Sequence, residues 1–155
     1  YGKPRRLVTE ATRRLSTAIR DRQDGKRVKY ILMSSSGVRN RMSGEIVSLP
    51  ENLVVQLIRW LVPPHLDNET AVAYLQNSLT DGEPAVEWVA VRPDSLVDEN
   101  SVSDYELHDS PIRSAIFNAG RVSRINVADF MANLVEDPEL WKCWRGKMPI
   151  LYNRN

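Results

Sequence analysis

Val28-Lys29-Tyr30-Ile31-Leu32-Met33-Ser34-Ser35-Ser36-Gly37 is a short apolar, β-branched and aromatic run that stops in three hydroxyls and a glycine. A run this short, closed by glycine, reads as a buried strand of a parallel sheet rather than a helix. In open α/β sheets, ligands sit just beyond the carboxyl ends of the strands. The serine cluster therefore falls where such a fold does its chemistry.

A second run, Val86-Glu87-Trp88-Val89-Ala90-Val91, repeats the pattern and is stopped by Arg92-Pro93-Asp94. Between the two, Ile46, Leu49, Leu53, Val54, Leu57, Ile58, Leu61 and Val62 mark an amphipathic helix closed by Pro63-Pro64. A short helix is predicted from Asp67 to about Leu79, with Asp67 as N-cap and Thr70, Ala73 and Tyr74 facing inward. Asp81-Gly82-Glu83-Pro84 reads as a turn. Upstream, Leu7, Val8, Ala11, Leu15, Ala18 and Ile19 recur at helical spacing and predict a helix over 4–22 with that face inward. Residues 94–120 look loop-rich, with short strands near Tyr105–Leu107 and Ala115–Phe117. Asn126 and Asp129 have the logic of a capping box before the stripe Val127, Phe130, Met131, Leu134 and Val135, in a helix ending near Asp137-Pro138. Met148-Pro149-Ile150-Leu151-Tyr152 reads as an edge strand, because proline suits an edge.

The order predicts an α/β fold: a parallel sheet with right-handed crossovers. Three core strands are few for a doubly wound sheet. The chain thus reads as a single domain, the second half of a partial doubly wound fold. It does not open with Met, and its first element is already a helix, so it reads as a fragment or processed piece.

Composition excludes little but points one way. The 155 residues suffice for one core, and the net charge of +1 gives no field favouring nucleic acid or a membrane surface. Arg5, Arg6, Arg13, Arg14, Arg20 and Arg22 line the first helix, which raises a nucleic-acid reading. Balanced charge and the lack of interleaved aromatics favour a solvated face instead. No stretch has the ~18–20 apolar residues a bilayer demands, and the first residues lack the core of a signal peptide. One cysteine, Cys143, cannot close an internal disulfide. Together these predict a reducing, cytoplasmic setting.

Three motifs in order, Tyr30-Ile31-Leu32-Met33-Ser34-Ser35-Ser36-Gly37-Val38, Val86-Glu87-Trp88-Val89-Ala90-Val91-Arg92-Pro93, and Arg121-Val122-Ser123-Arg124-Ile125-Asn126-Val127-Ala128, resemble the carboxyl-terminal half of the atypical short-chain dehydrogenase/reductases, and more narrowly the NmrA-like NAD(P)-binding proteins. The resemblance implies a Rossmann fold and an NAD(P) cofactor. It implies that Ser34, Ser35 and Ser36 stand beside the nicotinamide and its ribose. It implies that Arg92, Pro93 and Leu96 wall the nicotinamide, and that Arg124 and Asn126 line the substrate side. Ser35 is the polar candidate beside a hydride acceptor. Asn126 stands where the family usually has Asp.

Two departures qualify this. The seven glycines, at 2, 25, 37, 44, 82, 120 and 146, are scattered, so the clustered turn that approaches a pyrophosphate is missing. No tyrosine is followed four residues on by lysine, so the phenol–ammonium pair of a general acid is missing too. Dinucleotide binding is therefore expected to need an absent amino-terminal half. The leading expectation is an NAD(P)-binding oxidoreductase-like protein passing hydride to a small-molecule acceptor. The alternatives are a non-catalytic NAD(P)-sensing or protein-interaction module, and a basic-helix nucleic-acid binder. His65 reads as a surface loop histidine. His108, even with Asp104 and Asp109 near, makes no metal set, and no nucleophile elbow exists. Trp60, Trp88, Trp141 and Trp144 read as packing residues.

Overall fold

The computed structural model describes residues 5–22, 24–40, 44, 63–79, 85–114 and 117–154. The predicted helix over 46–62, the turn at 81–84, Trp60 and the Ala115–Ile116 part of a predicted strand lie outside the described residues. No described helix is long and apolar enough to cross a membrane.

The decisive run forms β1 (Val28–Met33) and the second run forms β2 (Val86–Pro93). They pair in parallel, Val28 opposite Val86 through Met33 opposite Val91. A crossover between parallel strands needs a helix, and α2 (Pro63–Ser78) supplies it. The four-stranded sheet runs β1-β2-β6-β4, with β6 (Ile150–Asn153) parallel to β2 and β4 (Tyr105–His108) antiparallel to β6. Two three-residue strands, β3 (Ser95–Val97) and β5 (Arg121–Ser123), pair in parallel beyond β2. The sheet is mostly parallel and carries helices on both faces, the arrangement of a Rossmann-like fold.

Alternation along β1 and β2 sorts the two cores. Leu32, Val86, Trp88 and Ala90 pack under α2 with Ala71, Val72, Leu75 and Leu79. Val89 and Val91 face the other way, onto Val127, Phe130 and Leu134 of α3 (Arg124–Glu136) and onto Trp141 and Trp144 of α4 (Pro138–Trp144). Each fully buried Leu or Phe contributes about 1.5–3 kcal/mol. Lys29 faces this second core. Its ammonium donates to the carbonyls of Leu134 and Val135 at the end of α3 (3.0 and 2.8 Å), and stands 5.0 Å from the Trp141 ring centroid. A cation there complements the helix dipole. Opposite Lys29, Glu87 accepts from the Trp141 indole at 2.6 Å.

Several expectations need correction. The predicted Met148–Tyr152 edge strand is interior: β6 lies between β2 and β4. Pro149 is tolerated there because its carbonyl, not its missing N–H, meets β2, accepting from the Arg92 amide at 2.8 Å. Asp67 does not cap its own helix. Pro63 and Pro64 open α2, as proline at a first helical turn can, so this helix begins four residues before the predicted Asp67. Of the residues placed inward, Thr70 is exposed and Ala73 and Tyr74 are half-buried; Ala71, Val72 and Leu75 take the core. Phe117 lies in a turn. Pro138 begins α4 instead of merely ending α3.

The first helix, α1 (Leu7–Asp21), is rotated from expectation: of the predicted inward face, Val8 and Ile19 do pack on the core, but other members do not. Leu7 and Leu15 are 62% and 51% exposed, whereas Thr9, Thr12 and Ser16 are buried. The hydroxyls can be buried because each is bonded: Thr12 to the Val8 carbonyl and the Tyr30 hydroxyl, Ser16 to the Thr12 carbonyl. Asp67 of α2 receives the start of α1. Its carboxylate accepts from the Val8 amide (2.8 Å), the Thr9 amide (3.0 Å) and the Thr9 hydroxyl (2.6 Å).

Burial pushes the Asp67 carboxyl up, but the Thr9 hydroxyl and the Thr9 and Val8 amides outweigh it, and the net shift is downward. A depressed carboxyl stabilises the fold above its unfolded value of about 3.9, and that contribution is lost as pH falls through the lower folded value. Asp67→Asn is expected to cost about 1–3 kcal/mol near neutrality and to flatten the loss of stability in acid. Urea unfolding of both proteins as pH is lowered through 4 checks this; parallel pH profiles would contradict it.

Candidate functional site

The ladder between β1 and β2 runs on past the last core pair. The Ser34 amide donates to the Val91 carbonyl (2.7 Å), and the Ser36 amide to the Pro93 carbonyl (3.0 Å). The two ribbons therefore point the same way and end side by side. Ser34–Ser36 and Arg92–Pro93 lie side by side at the carboxyl edge of the sheet. Beyond the serines the chain turns tightly: the Val38 amide donates to the Ser35 carbonyl (3.0 Å), and the Gly37 amide donates to the Ser35 hydroxyl (3.3 Å). The Ser34 hydroxyl is buried and has no hydrogen-bond partner among the described residues. An orphaned buried hydroxyl is costly unless something else satisfies it.

Arg92 is fully buried and spent inward. Its guanidinium donates to the carbonyls of Met148 (2.8 Å), Val38 (3.0 Å) and Asp109 (3.1 Å). It thereby ties the turn after β1, the segment after β4 and the approach to β6 to one point. Pro93 is buried beside Ser36, and Leu96 packs on the second core from β3. Asp94 follows, with its carboxylate accepting from the Ser95 and Gly120 amides, both at 2.9 Å. Gly120 lies flat against the buried Tyr152 ring. Burial, and next the Asp94 charge, raise the Tyr152 phenol.

Arg124 is exposed and pairs with Asp98 at 2.7 Å. Asn126 is fully buried, but it is not the N-cap. Ser123 caps α3, its hydroxyl accepting from the Asn126 amide at 3.2 Å; the box was read one turn late because serine is as good a cap as asparagine. The Asn126 side chain is committed to Ser103 (2.9 Å) and Asn153 (2.8 Å). Asp129 does not answer a cap; it accepts from the Tyr105 hydroxyl at 2.8 Å. Burial, then that bond, push the Tyr105 phenol up to about 12.

Two features of the site were not read from the sequence. One is the Asp94–Gly120–Tyr152 cluster, whose members are far apart in the chain. The other is His65, placed in a loop but found in the first turn of α2. Its Nε2 stands 3.4 Å from Glu69 Oε1, and the side chains are only 14% and 12% exposed. The signal available was the four-residue spacing, which puts both on one helix face. His108 lies edge-on to Tyr152 and 3.3 Å from Glu106. Among the described residues no group of three His, Cys, Asp or Glu could hold a metal.

A dinucleotide fits this surface at one end. The paired strand tips and the unpartnered Ser34 hydroxyl suit the polar nicotinamide end. The described residues hold no glycine-rich turn from a strand into a helix, so nothing among them suits the pyrophosphate.

A sequence-family model described as NAD(P)H-binding matches residues 4–138. No curated protein sequence matches the chain significantly. A short-chain dehydrogenase/reductase from Veillonella parvula, solved in complex with NADP, superposes with a TM-score of 0.58 at 18% identity, over 96% of this chain and 58% of that one. A protein assigned as an NAD-dependent epimerase/dehydratase from Bacillus halodurans gives 0.60 at 18% identity, over 96% and 53%. One assigned as an NADH-flavin reductase from Streptococcus pneumoniae gives 0.63 at 11% identity, over 99% and 69%. Identities this low speak to the fold alone. The chain spans little more than half the length of the first two.

Proposed function

The chain belongs to the NAD(P)H-binding family, and on that premise we propose that it forms the acceptor-side, carboxyl-terminal half of an NAD(P)-dependent oxidoreductase domain. The single observation that carries the reading is the continued ladder from Ser34 and Ser36 to Val91 and Pro93, which makes one lip of two strand ends. Ser34, Ser35 and Ser36 would hold the nicotinamide end from β1, and Pro93 and Leu96 from β2 and β3. Arg92 would act indirectly, by fixing the turn that carries the serines. Ser35 would stand nearest a small-molecule acceptor, and Arg124 and Asn126 would lie toward the substrate. Bound NAD(P)H supplies a hydride; the protein supplies orientation and electrostatics.

The half-domain reading has its own support. Among the described residues β1 pairs with β2 alone, so its other edge is open to a further parallel strand.

The missing Tyr-x-x-x-Lys favours a second reading, a module that senses NAD(P) without turning it over. Both readings take the protein to work in the cytoplasm. NADPH oxidation by the natural full-length protein, offered a quinone, a flavin or a carbonyl acceptor, separates them. These 155 residues alone are expected to bind NADPH only weakly, because the pyrophosphate has no seat. Calorimetry giving micromolar affinity for this chain alone would contradict that expectation.

A further inference from the structure

We propose that His65, beside Glu69, is the proton donor of this site. The inference rests on the hydride-transfer reading above and adds the residue that reading lacks. α2 crosses back over the sheet, so its first turn returns to the carboxyl edge where β1 ends. A Cβ placed on Gly37 would stand 3.3 Å from His65 Cε1, 3.9 Å from His65 Nδ1 and 3.7 Å from Ser35 Oγ. Imidazole and hydroxyl thus stand close to the same glycine, which packs tightly against the ring. A carbonyl group bound over this strand tip would have both groups as neighbours.

The ring is oriented for the task. Nε2 faces Glu69 Oε1 at 3.4 Å, and the opposite Cε1–Nδ1 edge faces Gly37. At 3.4 Å the contact is not yet a hydrogen bond, and Nε2 has no such partner among the described residues; closing it from Nε2–H to the Glu69 carboxylate when substrate binds would set the tautomer and leave Nδ1 to act. The groups facing His65 are Glu69 on its own helix and Ser35 and Gly37 on the turn after β1; Asp67, between the pair in sequence, is turned to α1 instead. The four-residue spacing of His65 and Glu69 is also that of the absent Tyr-x-x-x-Lys pair.

The step balances. The C–H bond of the reduced nicotinamide breaks, and its electron pair forms a new C–H bond at the acceptor carbonyl carbon. The carbonyl oxygen takes the Nδ1 proton of doubly protonated His65 and becomes a hydroxyl, leaving the neutral ring with its proton on Nε2. The carbonyl is reduced to an alcohol, the nicotinamide is oxidised, and neutral His65 regains a proton from water. Glu69 is a positioning residue.

The test uses the natural full-length protein, NADPH and phenanthrenequinone. His65→Gln is expected to lower kcat about 100-fold, the usual worth of a positioned acid, with NADPH affinity retained. Nitrogen-15 NMR of the cofactor-free protein is expected to show neutral His65 protonated at Nε2, and Glu69→Gln to raise the Nδ1–H share. Full activity in His65→Gln, or an Nδ1–H tautomer in the natural protein, would overturn the inference. Should His65→Gln not fold, the tautomer of the natural protein decides. NADPH binding without turnover of the quinone would also overturn the inference and leave the sensing reading standing. No NADPH binding at all would instead sink the reading beneath it.

Discussion

Arg92→Met is expected to destabilise the protein by about 3–5 kcal/mol, because several backbone carbonyls lose a charged donor at about 1–3 kcal/mol each. Methionine keeps much of the volume and donates nothing. The Val38 and Met148 carbonyls would then lose the guanidinium in a buried interior, and the Asp109 carbonyl would lose it nearer the surface. Each buried acceptor left unmet costs about 1–3 kcal/mol. The damage is not confined to stability. Val38 closes the turn that carries Ser34–Ser36, so the serine lip is expected to loosen, and NADPH affinity of the full-length protein to fall with it. Urea unfolding gives the first quantity and fluorescence titration the second. A loss below about 1 kcal/mol would contradict the role assigned to Arg92.

Gly120→Ala carries the other large effect. The added methyl would lie 2.2 Å from Tyr152 Cδ1 and 2.5 Å from Cε1, distances no relaxed contact reaches. Tyr152 is 2% exposed and cannot swing clear. Overpacking a rigid core costs about 1–3 kcal/mol, and here the Gly120 amide also risks its bond to Asp94. The expected result is a large drop in unfolding free energy, partly recovered when Tyr152→Leu is added. Contacting residues couple in this way, so the two changes should be strongly non-additive. Simple additivity would show that the ring and the glycine do not press on each other.

Much of this architecture could be read from the chain, and what escaped did so for physical reasons. β1 and β2 were legible because buried parallel strands write themselves as short apolar runs with abrupt stops. The serine tip and its neighbour Arg92-Pro93 followed from the same stops. β3 and β5 were not legible, since three residues carry no periodicity and their pairing is decided by distant chain. α1 misled because its apolar stripe was taken for the buried one. Thr9, Thr12 and Ser16 could go inside once Asp67, Tyr30 and the helix's own carbonyls satisfied them, and none of those partners is visible in a local pattern. The start that Pro63-Pro64 makes for α2 was not read, and that put His65 in a loop. Arg92 shows the same limit in the site. Its residue type announces a charge, but three non-local carbonyls decide that the charge is spent on holding the fold.

The central claim is that the tips of β1 and β2 together hold the nicotinamide end of the cofactor. A crystal structure of the natural full-length protein with NADP+ measures this most directly. The account predicts the nicotinamide ring in van der Waals contact, within about 4 Å, of both Ser35 and Pro93. A ring seated anywhere that leaves Ser34–Ser36 untouched would contradict it.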